Sequence, residues 1–140
     1  MASTIARFTL TFYAPPASVA ACKTAVFAAG AGRYPGSGGY TECCWSALGT
    51  GQFRPGEGAN PYIGSRGVAE ETPEVRVETL CLGRDTARKA VDALKKCVTF
   101  VSVLLHRNTP PPTRTDAQAH KRVHPYEEPV YFVTKIEDEF

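Results

Sequence analysis

Two stretches of this chain alternate apolar and polar residues with a period of two, and each leads into a helical pattern. Arg7 to Tyr13 sets Phe8, Leu10 and Phe12 against Arg7, Thr9 and Thr11. Glu74 to Leu82 sets Val75, Val77, Thr79 and Cys81 against Arg76, Glu78 and Leu80. Successive side chains of a strand point to opposite faces, so both segments belong to a sheet with one buried face. After the first, Pro15-Pro16 stops the strand, and Pro16 suits the first turn of a helix. Ala17 to Ala29 then carries Val19, Cys22, Val26 and Phe27 at helical spacing, closed by Gly30 and Gly32. After the second, Asp85 is placed to cap a helix over Thr86 to Lys96, with Ala87, Ala90, Val91 and Leu94 as its apolar stripe. Lys95 and Lys96 sit toward its negative end.

Two further strands complete the set. Gly36-Ser37-Gly38-Gly39 is a turn, after which Tyr40 to Leu48 reads as a strand. Val130 to Ile136 reads as the last one. Residues 49–67 are rich in glycine around Phe53, Arg54, Tyr62 and Ile63, and read as a long hairpin excursion. The order is β-α-β-β-α-β. It predicts an α+β, ferredoxin-like sandwich with two helices on one face of an antiparallel sheet. Residues 97–122 break this economy. Cys97 to Leu105 extends the helical stripe, yet its β-branched content suits strand or disorder equally. Asn108 to Arg122 is proline-rich and basic, the composition of a disordered loop or a partner-binding arm.

Composition bounds the functional classes. At 140 residues, residues 1–140 read as a single domain that buries roughly two-thirds of its unfolded surface. A net charge of +2 is too small to argue for nucleic acid or anionic membrane, and neither is expected as a partner. No apolar run approaches the roughly 20 residues of a membrane span, and the N-terminus lacks the pattern of a secretory signal. A cytoplasmic location is the expectation. Cysteines 22, 43, 44, 81 and 97 include no CxxC pair and read as buried free thiols.

The densest chemistry lies in His124-Pro125-Tyr126-Glu127-Glu128-Pro129. Its prolines fix φ and push His124 and Glu128 toward extended backbone, giving a stiff lead into the last strand. His124 and Glu128 are candidate ligands for a divalent metal ion, the one cofactor these residues suit. A closed site needs about four ligands, so others must come from another strand or subunit. The competing reading is a rigid turn whose carboxylates pair with Arg54, Arg66 or Arg76 at a subunit interface. Tyr126 and Glu127, with Phe53 and Arg54 of the excursion, are candidate ligand- or partner-binding residues. The excursion lacks the Gly-Lys-Ser/Thr ending of a phosphate-binding loop. Arg54 among backbone N–H groups still offers an anion site. No catalytic residue is assigned, since no nucleophile accompanies the carboxylates. Trp45, Phe53, Tyr62, Tyr126 and Tyr131 are expected to line a surface between subunits, because no basic stripe interleaves them for nucleic-acid stacking.

Four stretches carry a family resemblance. They are Gly49-Thr50-Gly51-Gln52-Phe53-Arg54-Pro55, Glu57-Gly58-Ala59-Asn60-Pro61-Tyr62-Ile63-Gly64, Glu74-Val75-Arg76-Val77-Glu78-Thr79, and His124 through Tyr131. Together they resemble the small domain inserted in, or related to, the Nif-three-like (DUF34) proteins, also found as a stand-alone chain. The resemblance covers nearly everything except 97–123. It implies a fold of the PII and CutA kind, which tends to form trimers, with the glycine-rich excursion contacting effectors and partners. The family's separate two-metal hydrolase-like domain has no counterpart here, where His106, His120 and His124 are the only histidines. The family pattern runs from the second helix almost directly into the His-Pro-Tyr-Glu-Glu-Pro stretch, so 97–122 reads as an insertion or as retained non-coding sequence. The expected function is a non-catalytic, oligomeric binding or regulatory module, a trimer before a dimer. The alternatives are a metal-assisted hydrolase shared between subunits through His124, Glu127 and Glu128, and a structural adaptor docking a larger protein partner.

Overall fold

The computed structural model describes residues 4–59, 64–106 and 129–137, and of 98–106 the backbone alone. Strand β1 (Arg7–Ala14) alternates as its sequence predicts, with Phe8, Leu10, Phe12 and Ala14 buried. The carbonyl of Pro15 accepts the N–H groups of Ser18 at 2.8 Å and Val19 at 3.1 Å, turning the chain into helix α1 (Val19–Ala28). Gly30 and Ala31 close that helix by donating to the carbonyls of Phe27 and Val26. Gly32, at φ +79°, then docks on the neighbouring strand segment. Its N–H donates to Leu80 at 2.8 Å, and its carbonyl accepts from Cys43 at 2.9 Å. A Cβ at this position would lie 2.9 Å from the Cys43 nitrogen, so the close approach requires glycine.

Strand β2 (Cys44–Phe53) pairs with β3 (Glu70–Leu82) as a long antiparallel hairpin. This corrects two expected boundaries: the strand begins at Cys44 rather than Tyr40, and it runs through Gly49 and Gly51. Those glycines serve the strand, not a turn. A Cβ on Gly51 would meet the Glu74 carboxylate at 2.6 Å, so the missing side chain leaves room for a cross-strand neighbour. The excursion therefore spans 54–69. Pro73 is tolerated within β3 because β3 has there outrun β1, whose pairing stops at Ala14 opposite Val75.

Helix α2 (Arg84–His106) starts one residue before the expected cap. The Gly83 carbonyl, not Asp85, receives the first helical bond, from Ala87 at 3.2 Å. Asp85 lies in the first turn, where its charge still favours the positive end of the helix. The helix continues into the 97–122 segment as far as His106, so 97–106 is helix rather than strand or loop. The expectations for 107–122 lie outside the described residues. Strand β4 (Tyr131–Ile136) closes the set.

The sheet order is β2-β3-β1-β4, with every pairing antiparallel. With the element order β-α-β-β-α-β, this is the α+β ferredoxin-like sandwich. Its core lies between the helices and one sheet face: Leu10, Phe12 and Val77 below, Cys22, Val26 and Leu94 above, each fully buried. Among the described residues, no helix is long and apolar enough to cross a membrane.

Candidate functional site

The strand registers place two features at one end of the sheet. The excursion leaves from the overhanging ends of β2 and β3, beyond the point where β1 stops. At the same end the chain enters β4, where the Val130 carbonyl accepts the N–H of Tyr13 at 3.0 Å. Pro129 and Val130 are the described end of the proline-bounded stretch. His124, Tyr126, Glu127 and Glu128 lie outside the described residues, as does Tyr62 of the excursion.

Phe53 and Arg54 mark where β2 gives way to the excursion. Phe53, opposite Glu70, is the last strand residue and faces the side of the sheet away from the helices. Arg54 turns inward. Its Nη1 donates to the carbonyl of Gly67 at 2.6 Å, while the Gly67 N–H donates to the carbonyl of Pro55 at 2.8 Å. These two bonds clamp the neck of the excursion. Gly67 at φ +74° supplies the left-handed turn they need. Inside the neck, Arg66 Nε donates to the carbonyl of Ala59 at 2.8 Å. Both arginines thus spend donors on local carbonyls, and the guanidinium of Arg76 is paired with Glu78 on β3. The readings that gave these three cations to the carboxylates of 124–129 compete with partners already in place. Arg54 retains further N–H donors for an anion, since a guanidinium presents five. Among the described residues, no group of three or more His, Cys, Asp or Glu side chains is arranged to hold a metal ion.

The face of the sheet opposite the helices carries a second feature. The register aligns Phe132, Thr11, Glu78 and Trp45 in one row across all four strands. Among the described residues no element covers this face, and Trp45 and Phe132 are 57% and 58% exposed. Phe132 was not singled out by the sequence, although its place beside Tyr131 in a two-residue period carried the signal. Tyr131 is the corresponding correction. It lies on the helix side opposite Phe12, packed against the core beneath Lys95, whose Nζ is 5.6 Å from its ring centroid. It therefore does not belong to the outer aromatic surface.

All five cysteines are free. Cys22 and Cys81 are buried as expected, whereas Cys44 is exposed at the start of an edge strand. Cys97 Sγ approaches Cys22 Sγ at 3.7 Å, joining α2 to α1. Burial, reinforced by the adjacent Cys97, pushes the Cys22 thiol up to about 12. Burial alone pushes Cys81 up to about 11. These are packing thiols, held neutral by their surroundings.

No family model matches the chain. Among curated proteins, it is 37% identical over 119 residues to the GTP cyclohydrolase 1 type 2 homolog of Mycobacterium bovis, covering 85% of this chain and 24% of that protein. It is 49% identical over 79 residues to the protein of the same name from Mycobacterium leprae, covering 56% of this chain and 19% of the relative. The Halalkalibacterium halodurans homolog aligns over 137 residues at 28% identity, across 98% of this chain and 29% of its own length. The chain thus spans about a quarter of the length of the curated relatives it matches. Among solved structures, the Bacillus cereus protein related to NIF3 superposes with a TM-score of 0.65 at 25% identity, over 97% of this chain and 27% of that one.

Proposed function

Because the chain belongs to the Nif-three-like (DUF34) family, we propose that it acts as a non-catalytic, oligomeric module of the PII and CutA kind, binding a ligand or partner at one end of its sheet. The observation that carries this reading is the open sheet face. A helix-covered antiparallel sheet normally turns a polar face to water, whereas this one presents an indole and a phenyl ring in one row. Covering that face with further copies of the chain removes the rings from water, and a trimer is the arrangement the family resemblance favours. Residues 1–140 form one domain, in which 97–122 is an insertion that α2 enters.

The binding end comprises Phe53 and Arg54 at the clamped neck of the excursion, together with Tyr126 and Glu127. His124 and Glu128 are the proposed ligands to a divalent cation, completed by groups from a neighbouring subunit. The reading of Arg54 as a recognition group rests on the anchoring of its guanidinium to Gly67, which holds its remaining donors in one orientation. The relatives' name refers to proteins about four times as long, so the module's place in their activity is as an accessory domain.

Light scattering of the purified chain tests the assembly. The expected mass is a multiple of the chain mass, and Trp45→Glu with Phe132→Glu is expected to yield a folded monomer. A wild-type monomer at every concentration overturns the oligomer. Zinc titration by calorimetry tests the cation, with binding expected in wild type and lost in His124→Ala.

A further inference from the structure

The helix layer does not cover the inner face of the sheet evenly. On β1 and β3 the inward positions Leu10, Phe12, Val77 and Cys81 are buried. On β4 the inward position opposite Leu10 is Val133, and it is 42% exposed. The strip left open between β4 and α2 is a groove of about 480 Å³, within the range that small-molecule sites occupy. Its floor is apolar, built by Phe8, Val133 and the ring of Tyr131, and Ala87 and Val91 of α2 form one wall.

The charges along this groove are unequally placed. Arg84 and Arg88 lie one turn apart on the same wall, at the end where α2 begins. Lys135 stands at that end too, opposite Phe8 on the inward face of β4. Among the described residues, Arg84 and Arg88 form no ion pair. Asp92 lies one further turn along the same wall, four residues from Arg88, and forms no ion pair with it. Toward the other end, the Tyr131 ring of the floor lies beneath Lys95.

We propose that this groove binds an elongated amphiphilic monocarboxylate, a medium-chain acyl or arylalkyl acid. Its carboxylate meets Arg84 and Arg88, and its hydrocarbon covers Val133 and Val91. The occupant follows from complementarity. An apolar body removes the exposed Val133 surface from water, and a carboxylate matches guanidinium donors that have no ion-pair partner among the described residues. An uncharged hydrocarbon leaves the cationic end unmatched, and a bare small anion leaves the floor wet. This site lies on the helix side of the sheet, away from the excursion, and stands or falls independently of the proposed oligomer and cation.

The test uses the full chain with octanoate, 1-octanol and acetate as probes, followed by amide chemical-shift mapping. Octanoate is expected to shift the amides of Val133, Ala87 and Val91 and to bind about tenfold more tightly than octanol or acetate. Arg84→Ala with Arg88→Ala is expected to weaken octanoate about tenfold while leaving octanol unchanged. Val133→Asp is expected to weaken both. Lys89→Ala with Lys96→Ala removes the same charge from α2 away from the groove, and is expected to leave octanoate binding intact. The proposal is overturned if octanol matches octanoate, if the two double variants weaken octanoate equally, or if octanoate shifts Trp45 and Phe132 instead of the groove. Thermal unfolding of each variant confirms that a loss of binding is not a loss of fold.

Discussion

Cys22 and Cys81 occupy positions where a thiol behaves as a small apolar side chain, one on α1 and one on β3. Burial penalises their thiolate forms, raising Cys22 to about 12 and Cys81 to about 11 from an ordinary 9.0. The sign of the pH effect follows from proton counts. Between the unfolded and folded values the unfolded chain has released protons that the folded chain retains, so stability falls as pH rises. In denaturant unfolding the two thiols are therefore expected to contribute no slope near neutral pH and a decline in stability from about pH 9 toward 11. The slope approaches about 1.4 kcal/mol per pH unit for each retained proton. Cys22→Ala is expected to flatten that decline while lowering stability at neutral pH, and an unchanged slope would show that Cys22 does not contribute. A thiol-reactive probe is expected to label exposed Cys44 before buried Cys22. The sequence identified free thiols, because odd number and spacing are local facts. It did not separate Cys44 from Cys22, because exposure depends on which strand lies at the edge.

At the scale of elements, the excursion shows how a side chain restrains a loop. Arg54 to Gly67 and Gly67 to Pro55 tie both strands of the neck together beyond the last ladder pair, Phe53 opposite Glu70. Removing the guanidinium leaves the backbone bond alone. Arg54→Ala is thus expected to raise hydrogen exchange in the described part of 54–69 severalfold, while β1 and the paired core of β3 stay protected. Equal loosening of β1 would mean that Arg54 supports the whole fold. The same region shows where local reading fails. Gly49 and Gly51 carry the composition of a turn, yet they lie in β2, because the Glu74 side chain occupies the space above Gly51. Asp85 has the chemistry of a cap, yet Gly83 takes that place, because its N–H is already bonded to Ala6 at 2.8 Å and orients the chain for α2. In both cases a partner distant in sequence overrides a sound local preference.

For the whole molecule, the outer face couples assembly to stability. If Trp45 and Phe132 are buried between copies, unfolding releases subunits and the midpoint depends on concentration. The melting temperature of the wild-type chain is expected to rise with protein concentration, and that of the Trp45→Glu, Phe132→Glu variant to stay constant. A concentration-independent wild-type midpoint would place the exposed rings outside any interface. Element order, strand alternation and the buried stripes of β1, β3 and α2 were legible in the chain, because periods of two and near 3.6 record which side of an element avoids water. The motif at 124–129 and the stretches around Phe53 and Arg54 marked the family for the same local reason. The sheet order decided the rest. It put β2 and β4 at the edges, left Val133 outside the cover of α2, moved Tyr131 from the outer surface to the inner one, and brought the excursion and the entry to β4 to one end. Those relations join residues far apart in sequence, and a pattern of near neighbours carries no record of them.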